Sequence, residues 1–141
     1  MTHEIYPCLW FDGNAQEAAK YYCTVFKNAK ITAENPMVVM FEIDGKKFMC
    51  LNGGPHFKFN ESVSFVVNCD TQDEIDYYWN TLTANGGVES QCGWLKDKFG
   101  LSWQIVPAIL PKLMSDPSRA QNVMQAFMKM KKFDIKTLEN A

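Results

Sequence analysis

Six residues have side chains and settings suited to holding a small molecule: Trp10, Glu42, Asn52, His56, Trp94 and Gln104. His56 lies in GGPHFKF and is one of two histidines, the other being His3 near the start of the chain. An imidazole can accept a proton or ligate, so it is a candidate base or ligand as well as an ordinary loop residue. Glu42 is the one carboxylate in the apolar run MVVMFEI. It reads as a general base or as the exposed side of an edge strand. Asn52 precedes Gly53-Gly54, where it either donates to a ligand or shapes the turn. The segment CGWLKDKFGLSWQIVP, residues 92–107, supplies the other two polar or aromatic candidates. Strand alternation puts Cys92, Trp94 and Lys96 on one face of it and Gly93, Leu95 and Asp97 on the other. On its last strand, Gln104 faces away from Trp103 and Ile105. An aromatic wall with an amide suits a small polar or aromatic molecule.

These residues are positioned by a repeated unit. LWFDGNAQEAAKYYCTVF (9–26) and FVVNCDTQDEIDYYWNTL (65–82) each pass from an apolar run to a capped helix. Asn14 and Asp70 stand 56 positions apart as helix caps, with Glu17 and Asp73 three residues later as capping-box partners. Tyr21-Tyr22 matches Tyr77-Tyr78, and GKKFMCL (45–51) matches GLSWQIV (100–106) at an offset of 55. Repetition at a nearly constant offset indicates two copies of one strand–helix–three-strand unit. Repeat one covers about 4–55 and repeat two about 62–107, joined by the turn-rich NGGPHFKFNES. The first helix is expected at 15–27 and the second at 71–85, closed by Asn85-Gly86-Gly87. The second unit's strands are expected at 62–69, 87–91, 94–98 and 101–106. A helical tail occupies 108–141, with a helix starting at Asp116-Pro117 and an apolar face of Val123, Met124, Phe127, Met128 and Met130. One such unit cannot cover both faces of its sheet. Two copies can, which predicts an α+β fold with helices outside and a cup-shaped mixed sheet within.

Composition narrows the partners. The chain has 14 basic and 16 acidic residues, a net charge of −2, so no basic face for nucleic acid is expected. No apolar run nears the ~20 residues that cross a bilayer. The N-terminal MTHEIYPCLWFDG does not read as a signal peptide. Cys8, Cys23, Cys50, Cys69 and Cys92 are odd in number and widely spaced, which suits free thiols in a reducing cytoplasm.

PCLWFDGNAQEAAKYYCTVF, FMCLNGGPHFKFNESVSFVVNC and CGWLKDKFGLSWQIVP together resemble the vicinal oxygen chelate superfamily, the glyoxalase and bleomycin-resistance fold. They are most similar to its PhnB-like group, which carries the domain name 3-demethylubiquinone-9 3-methyltransferase. The resemblance implies paired βαβββ units and commonly a homodimer, for which Met124, Phe127 and Met128 are a plausible contact. It also implies, in metal-dependent members, a His near the start of each unit's first strand and a Glu on each last strand. Those positions fall here at about Pro7, flanked by Tyr6 and Cys8; at Met49 or Cys50; at Ser64; and at Gln104. None forms a good ligand set, since divalent first-row metals want imidazole, carboxylate or thiolate. No metal and no cofactor are therefore expected. A methyltransferase of the common nucleotide-binding type is not expected either. LWFDGNAQEAA holds a single glycine, and NGGP leads into HFKFNES instead of a helix. The expected function is capture of a small molecule. The alternatives are a metal-dependent lyase, isomerase or dioxygenase, and the methyltransferase of the domain name.

Overall fold

The computed structural model describes residues 3–141. The chain forms two compact units, Met1–Phe59 and Asn60–Ala141. Unit one contains strand β1 (Cys8–Phe11), helix α1 (Ala15–Val25) and strands β2 (Ala29–Glu34), β3 (Val38–Ile43) and β4 (Lys46–Asn52). Its sheet has the order β1-β4-β3-β2, with β1 parallel to β4 and the other pairs antiparallel. Unit two repeats this with β5 (Ser64–Cys69), α2 (Gln72–Thr83), β6 (Val88–Glu89), β7 (Trp94–Lys96) and β8 (Ser102–Pro107), ordered β5-β8-β7-β6. Three short helices follow: α3 (Leu110–Met114), α4 (Ala120–Phe127) and α5 (Ile135–Glu139). The fold is α+β, two four-stranded mixed sheets with helices and a helical C-terminal region.

Each sheet buries one face under its helix. In α1, Ala15, Ala18 and Ala19 let the helix approach closely, and Tyr22 stacks on Phe41 of β3 at 5.8 Å. Leu9, Phe11, Val39 and Cys50 fill the same layer. In unit two, Ile75, Trp79 and Leu82 of α2 are buried, as are Leu95, Trp103 and Ile105 of the sheet. Cys50 and Ile105, 55 positions apart, are both fully buried, so the offset between the last strands preserves which face each residue takes. This burial, at about 25 cal/mol per Å² of apolar surface, is the main favourable term in each unit.

The caps depart from the sequence pattern. Asn14 sits at the N-cap of α1, but its side chain makes no capping bond. Asn52 does that work from β4, its Oδ1 accepting from the Ala15 N–H at 2.8 Å. The cap of α2 is Thr71 and not Asp70, because the Thr71 hydroxyl accepts from Glu74 N at 3.2 Å. At the exit of α2, Asn85 (φ 56°) and Gly86 (φ 110°) take the left-handed conformation, while Gly87 does not.

The second hairpin is shorter than strand alternation suggests. Cys92 (φ 57°) and Gly93 (φ 82°) form a turn, so Cys92 does not alternate with Trp94 on a strand. Both N–H groups of this turn leave the sheet, donating to Met130 O and Lys131 O at 2.8 Å. A Cβ on Gly93 would lie 2.4 Å from the Phe133 ring. The tail thereby becomes part of unit two. Gln72 reinforces this, donating to Phe133 O and accepting from Ile135 N, each at 2.9 Å. Lys132 adds an ion pair to Asp76 at 2.9 Å. Within the tail, Asp116-Pro117 precedes the helix instead of starting it. Asp116 Oδ1 accepts from Ser118 N at 3.0 Å, closing a turn, and α4 begins at Ala120. Val123 of α4 is buried, while Met124 and Met128 are exposed.

Candidate functional site

β8 alternates. Trp103 and Ile105 are buried under α2, so Ser102 and Gln104 lie on the opposite face. Register brings neighbours to that face. Trp94 of β7 pairs with Gln104 and Lys96 with Ser102, while Ser64 and Val66 of β5 pair with Ser102 and Gln104. Gln104 Nε2 donates to Ser64 Oγ at 3.0 Å. Val66 is 54 % exposed, a large apolar side chain left open beside the amide. Lys96 Nζ forms an ion pair with Glu61. A cavity of about 320 Å³ borders this face, lined by Glu61, Val88, Glu89, Trp94, Lys96 and Ser102. Ser102 is fully buried, and its Oγ has no hydrogen-bond partner among the described residues. Glu89 Oε1 accepts from the Trp79 indole at 2.7 Å.

Asp97 fixes the turn that aligns β7 with β8. It is only 2 % exposed. Its Oδ1 accepts from Phe99 N at 2.9 Å and Leu101 N at 3.1 Å, and its Oδ2 accepts from Trp103 Nε1 at 2.9 Å. The segment CGWLKDKFGLSWQIVP is thus scaffold on one side and candidate site on the other.

The structure brings Trp94 and Gln104 together in unit two, and the other four candidates belong to unit one. In unit one, Trp10 Nε1 donates to Gly54 O at 2.9 Å, and Phe57 packs edge-on at 4.8 Å. A Cβ on Gly53 would lie 2.4 Å from the indole, so the glycine pair is needed for this loop to fold over Trp10. Asn52 uses both ends of its amide on scaffold, with Nδ2 donating to Gln16 Oε1 and Pro36 O at 3.0 Å. His56 is exposed on the same loop. Glu42 lies elsewhere. Its strand β3 is an interior strand, not an edge, and Glu42 pairs with Lys30 at 3.6 Å and faces Lys47 in register. Four residues of β4, about 13 Å, separate the Glu42–Lys47 row from the row holding Trp10 and Leu51.

Sequence reasoning put Lys96 on one face with Trp94, but it missed Ser102 as their neighbour and Asp97 as an anchor. Parity along GLSWQI already places Ser102 with Gln104. The partners of Asp97 follow only from the closed turn.

The positions at which the resemblance would put metal ligands do not fit a divalent ion. Ser64 and Gln104 are neutral and bonded to each other. Pro7 offers only its carbonyl, which accepts from Met49 N at 3.0 Å. Cys8 pairs in register with Met49, one position from Cys50, so the two thiols are on opposite faces of the sheet. Burial pushes the Cys50 thiol up to about 12, with smaller contributions from Cys8 and Cys23, which keeps it protonated. Among the described residues, no group of three or more His, Cys, Asp or Glu side chains could hold a metal.

A family model described as 3-demethylubiquinone-9 3-methyltransferase matches residues 3–106. This chain belongs to that family. In fold it is similar to PhnB and to glyoxalase-related proteins. The PhnB protein of Bacillus cereus is 28 % identical, with a TM-score of 0.68, over 75 % of this chain and 100 % of that one. A glyoxalase-related enzyme from Fulvimarina pelagi shares the fold at 15 % identity and a TM-score of 0.58, over 78 % and 91 % of the two chains. So does a fosfomycin resistance protein from Listeria monocytogenes, solved with Mn(II) and sulfate, at 12 % identity and 0.60, over 82 % and 97 %. No curated protein matches the chain. No helix among the described residues is long and apolar enough to cross a membrane.

Proposed function

We propose that this PhnB-like protein binds a small molecule on the open face of its second sheet, without the superfamily metal. The observation that carries this reading is the Gln104–Ser64 hydrogen bond at 3.0 Å. It joins an amide and a hydroxyl at the two positions where metal-dependent relatives would need a carboxylate and an imidazole. Trp94 beside them, with Val66 exposed, supplies apolar surface for a ligand body. Gln104 orients the ligand, and removing Gln104 or Trp94 weakens binding while leaving the fold intact.

The test is elemental analysis of the untagged protein, incubated with zinc, nickel, manganese or ferrous iron and then desalted. No stoichiometric metal is the expected result. One metal per chain would overturn the proposal and favour a chelate-type enzyme. The same reading places the protein in the cytoplasm, where its five free cysteines stay reduced. It also makes the protein a homodimer through the exposed Met124 and Met128 of α4. Sedimentation at micromolar concentration then gives twice the 16.1 kDa chain mass, and a monomer at that concentration removes this part.

A further inference from the structure

The geometry points to a neutral planar lactam, a ring carrying an N–H beside a C=O, as the ligand class of the open face at Gln104. This inference rests on the metal-free binding reading and specifies its ligand.

Three observations lead to it. First, the Gln104 amide is only partly used. A primary amide offers two N–H donors and an accepting oxygen. One donor goes to Ser64 Oγ at 3.0 Å. Oε1 and the second N–H have no partner among the described residues. Oε1 also reaches solvent, since Ser102 Oγ is the one buried side-chain N or O atom among those residues that lacks a partner. An acceptor and a donor on one planar group match a ligand N–H and C=O held side by side, which a lactam ring fixes. A carboxylate has no donor for Oε1, and an ammonium has no acceptor for the N–H. Second, the charge beside the amide is balanced. Lys96, on the same face, is ion-paired with Glu61. Glu89 is on the opposite face, in register with buried Leu95 and accepting from the Trp79 indole of α2 at 2.7 Å. An ionic ligand would give up hydration there without a free counter-charge, whereas a neutral one does not. Third, Trp94, Gln104 and Val66 form one row across three neighbouring strands. Strands lie about 4.8 Å apart, so the row spans about 10 Å. An indole on one side of the amide and an exposed isopropyl group on the other suit a flat body of two fused rings. The ligand N–H donates to Gln104 Oε1, its C=O accepts from Gln104 Nε2, and its rings lie along Trp94 and Val66.

The test measures binding of 2-quinolinone, N-methyl-2-quinolinone and 2-naphthoate to the full chain by calorimetry. All three have two fused rings; the second lacks the N–H and the third carries a charge. 2-Quinolinone is expected to bind about tenfold tighter than either, the difference one hydrogen bond to a partly buried amide makes. In Gln104→Leu the preference for 2-quinolinone over its N-methyl derivative is expected to fall below about twofold, because the N–H has lost its acceptor. In Trp94→Ala both lactams are expected to weaken about tenfold with that preference kept, because the indole contacts the rings and not the N–H. The preference is read within one variant, so a change in stability does not mimic its loss, and the comparison in the unaltered protein needs no variant. Equal binding of the N-methyl derivative, tighter binding of 2-naphthoate, a preference that survives in Gln104→Leu, an unchanged affinity in Trp94→Ala, or no binding of any probe overturns the inference. These failures are separable from failure of the underlying reading. Binding of 2-naphthoate that depends on Trp94 refutes the lactam class and leaves metal-free binding standing, whereas one metal per chain refutes that reading whatever the lactam does.

Discussion

Replacing Asp97 by alanine should destabilise the second unit far more than an ordinary turn substitution. The carboxylate holds three donors: Phe99 N and Leu101 N on Oδ1, and Trp103 Nε1 on Oδ2. The bonds to Leu101 and Trp103 are buried, and the bond to Phe99 is partly buried. Removing the acceptor strands two buried N–H groups at about 1–3 kcal/mol each, while water replaces the third partner at little loss. No longer burying a carboxylate offsets part of this. The net expectation is about 3 kcal/mol, which for a chain of this size lowers the melting temperature by roughly 10 °C. Asp97→Asn separates charge from geometry. Its amide oxygen retains both backbone donors, but its NH₂ then meets the indole N–H, so the cost falls to about 1–2 kcal/mol. Equilibrium urea unfolding followed by far-ultraviolet circular dichroism measures both variants. Trp103→Phe completes a cycle, since Asp97→Ala should cost about 1 kcal/mol less on that background. A loss under 1 kcal/mol for Asp97→Ala, or full additivity with Trp103→Phe, would refute the claim that this carboxylate anchors the turn.

Two further outcomes follow from the same geometry. Asn52→Ala removes the cap on Ala15 N and the donor to Pro36 O, for an expected loss of about 2 kcal/mol in urea unfolding. Asn52→Asp keeps the cap acceptor and should recover about half of that; equal losses for the two variants would contradict the capping role. Burial raises the Cys50 and Cys69 thiols to about 12, so at pH 8 roughly one molecule in ten thousand carries either thiolate. Ellman's reagent should therefore titrate only Cys8, Cys23 and Cys92 in the native protein, and all five thiols after denaturation; five fast equivalents in the native state would contradict that burial.

Much of the fold was legible because its signals are local and repeated. The 56-residue offset from Tyr21-Tyr22 to Tyr77-Tyr78 reappears as two sheets of identical strand order. The apolar stripe Ala18, Tyr22, Val25 became the buried face of α1. Parity along GLSWQI put Trp103 and Ile105 inside and Gln104 on the open face. These are periodicities of 3.6 and 2, which burial enforces directly.

The misreadings occurred where a residue's partner is distant in the chain or where a turn replaces a strand. Asn14 has the right type for a cap, yet Asn52 caps α1 from 37 residues away. Cys92 looked like a strand residue until its N–H and that of Gly93 bonded to the tail at Met130 and Lys131. Glu42 looked like an edge carboxylate until β2 paired alongside β3. Ser102 resembles any strand serine, and only the packed sheet shows that its hydroxyl is buried without a partner. The sequence alone determined the repeat, the α+β class and the inward faces of the strands, because each depends on residue type and local spacing. Tertiary structure alone decided which polar groups support the scaffold and which remain open at the Trp94–Ser102 cavity. A hydrogen-bond partner is chosen by proximity in space, and the chain reveals that only once its long-range pairs have closed.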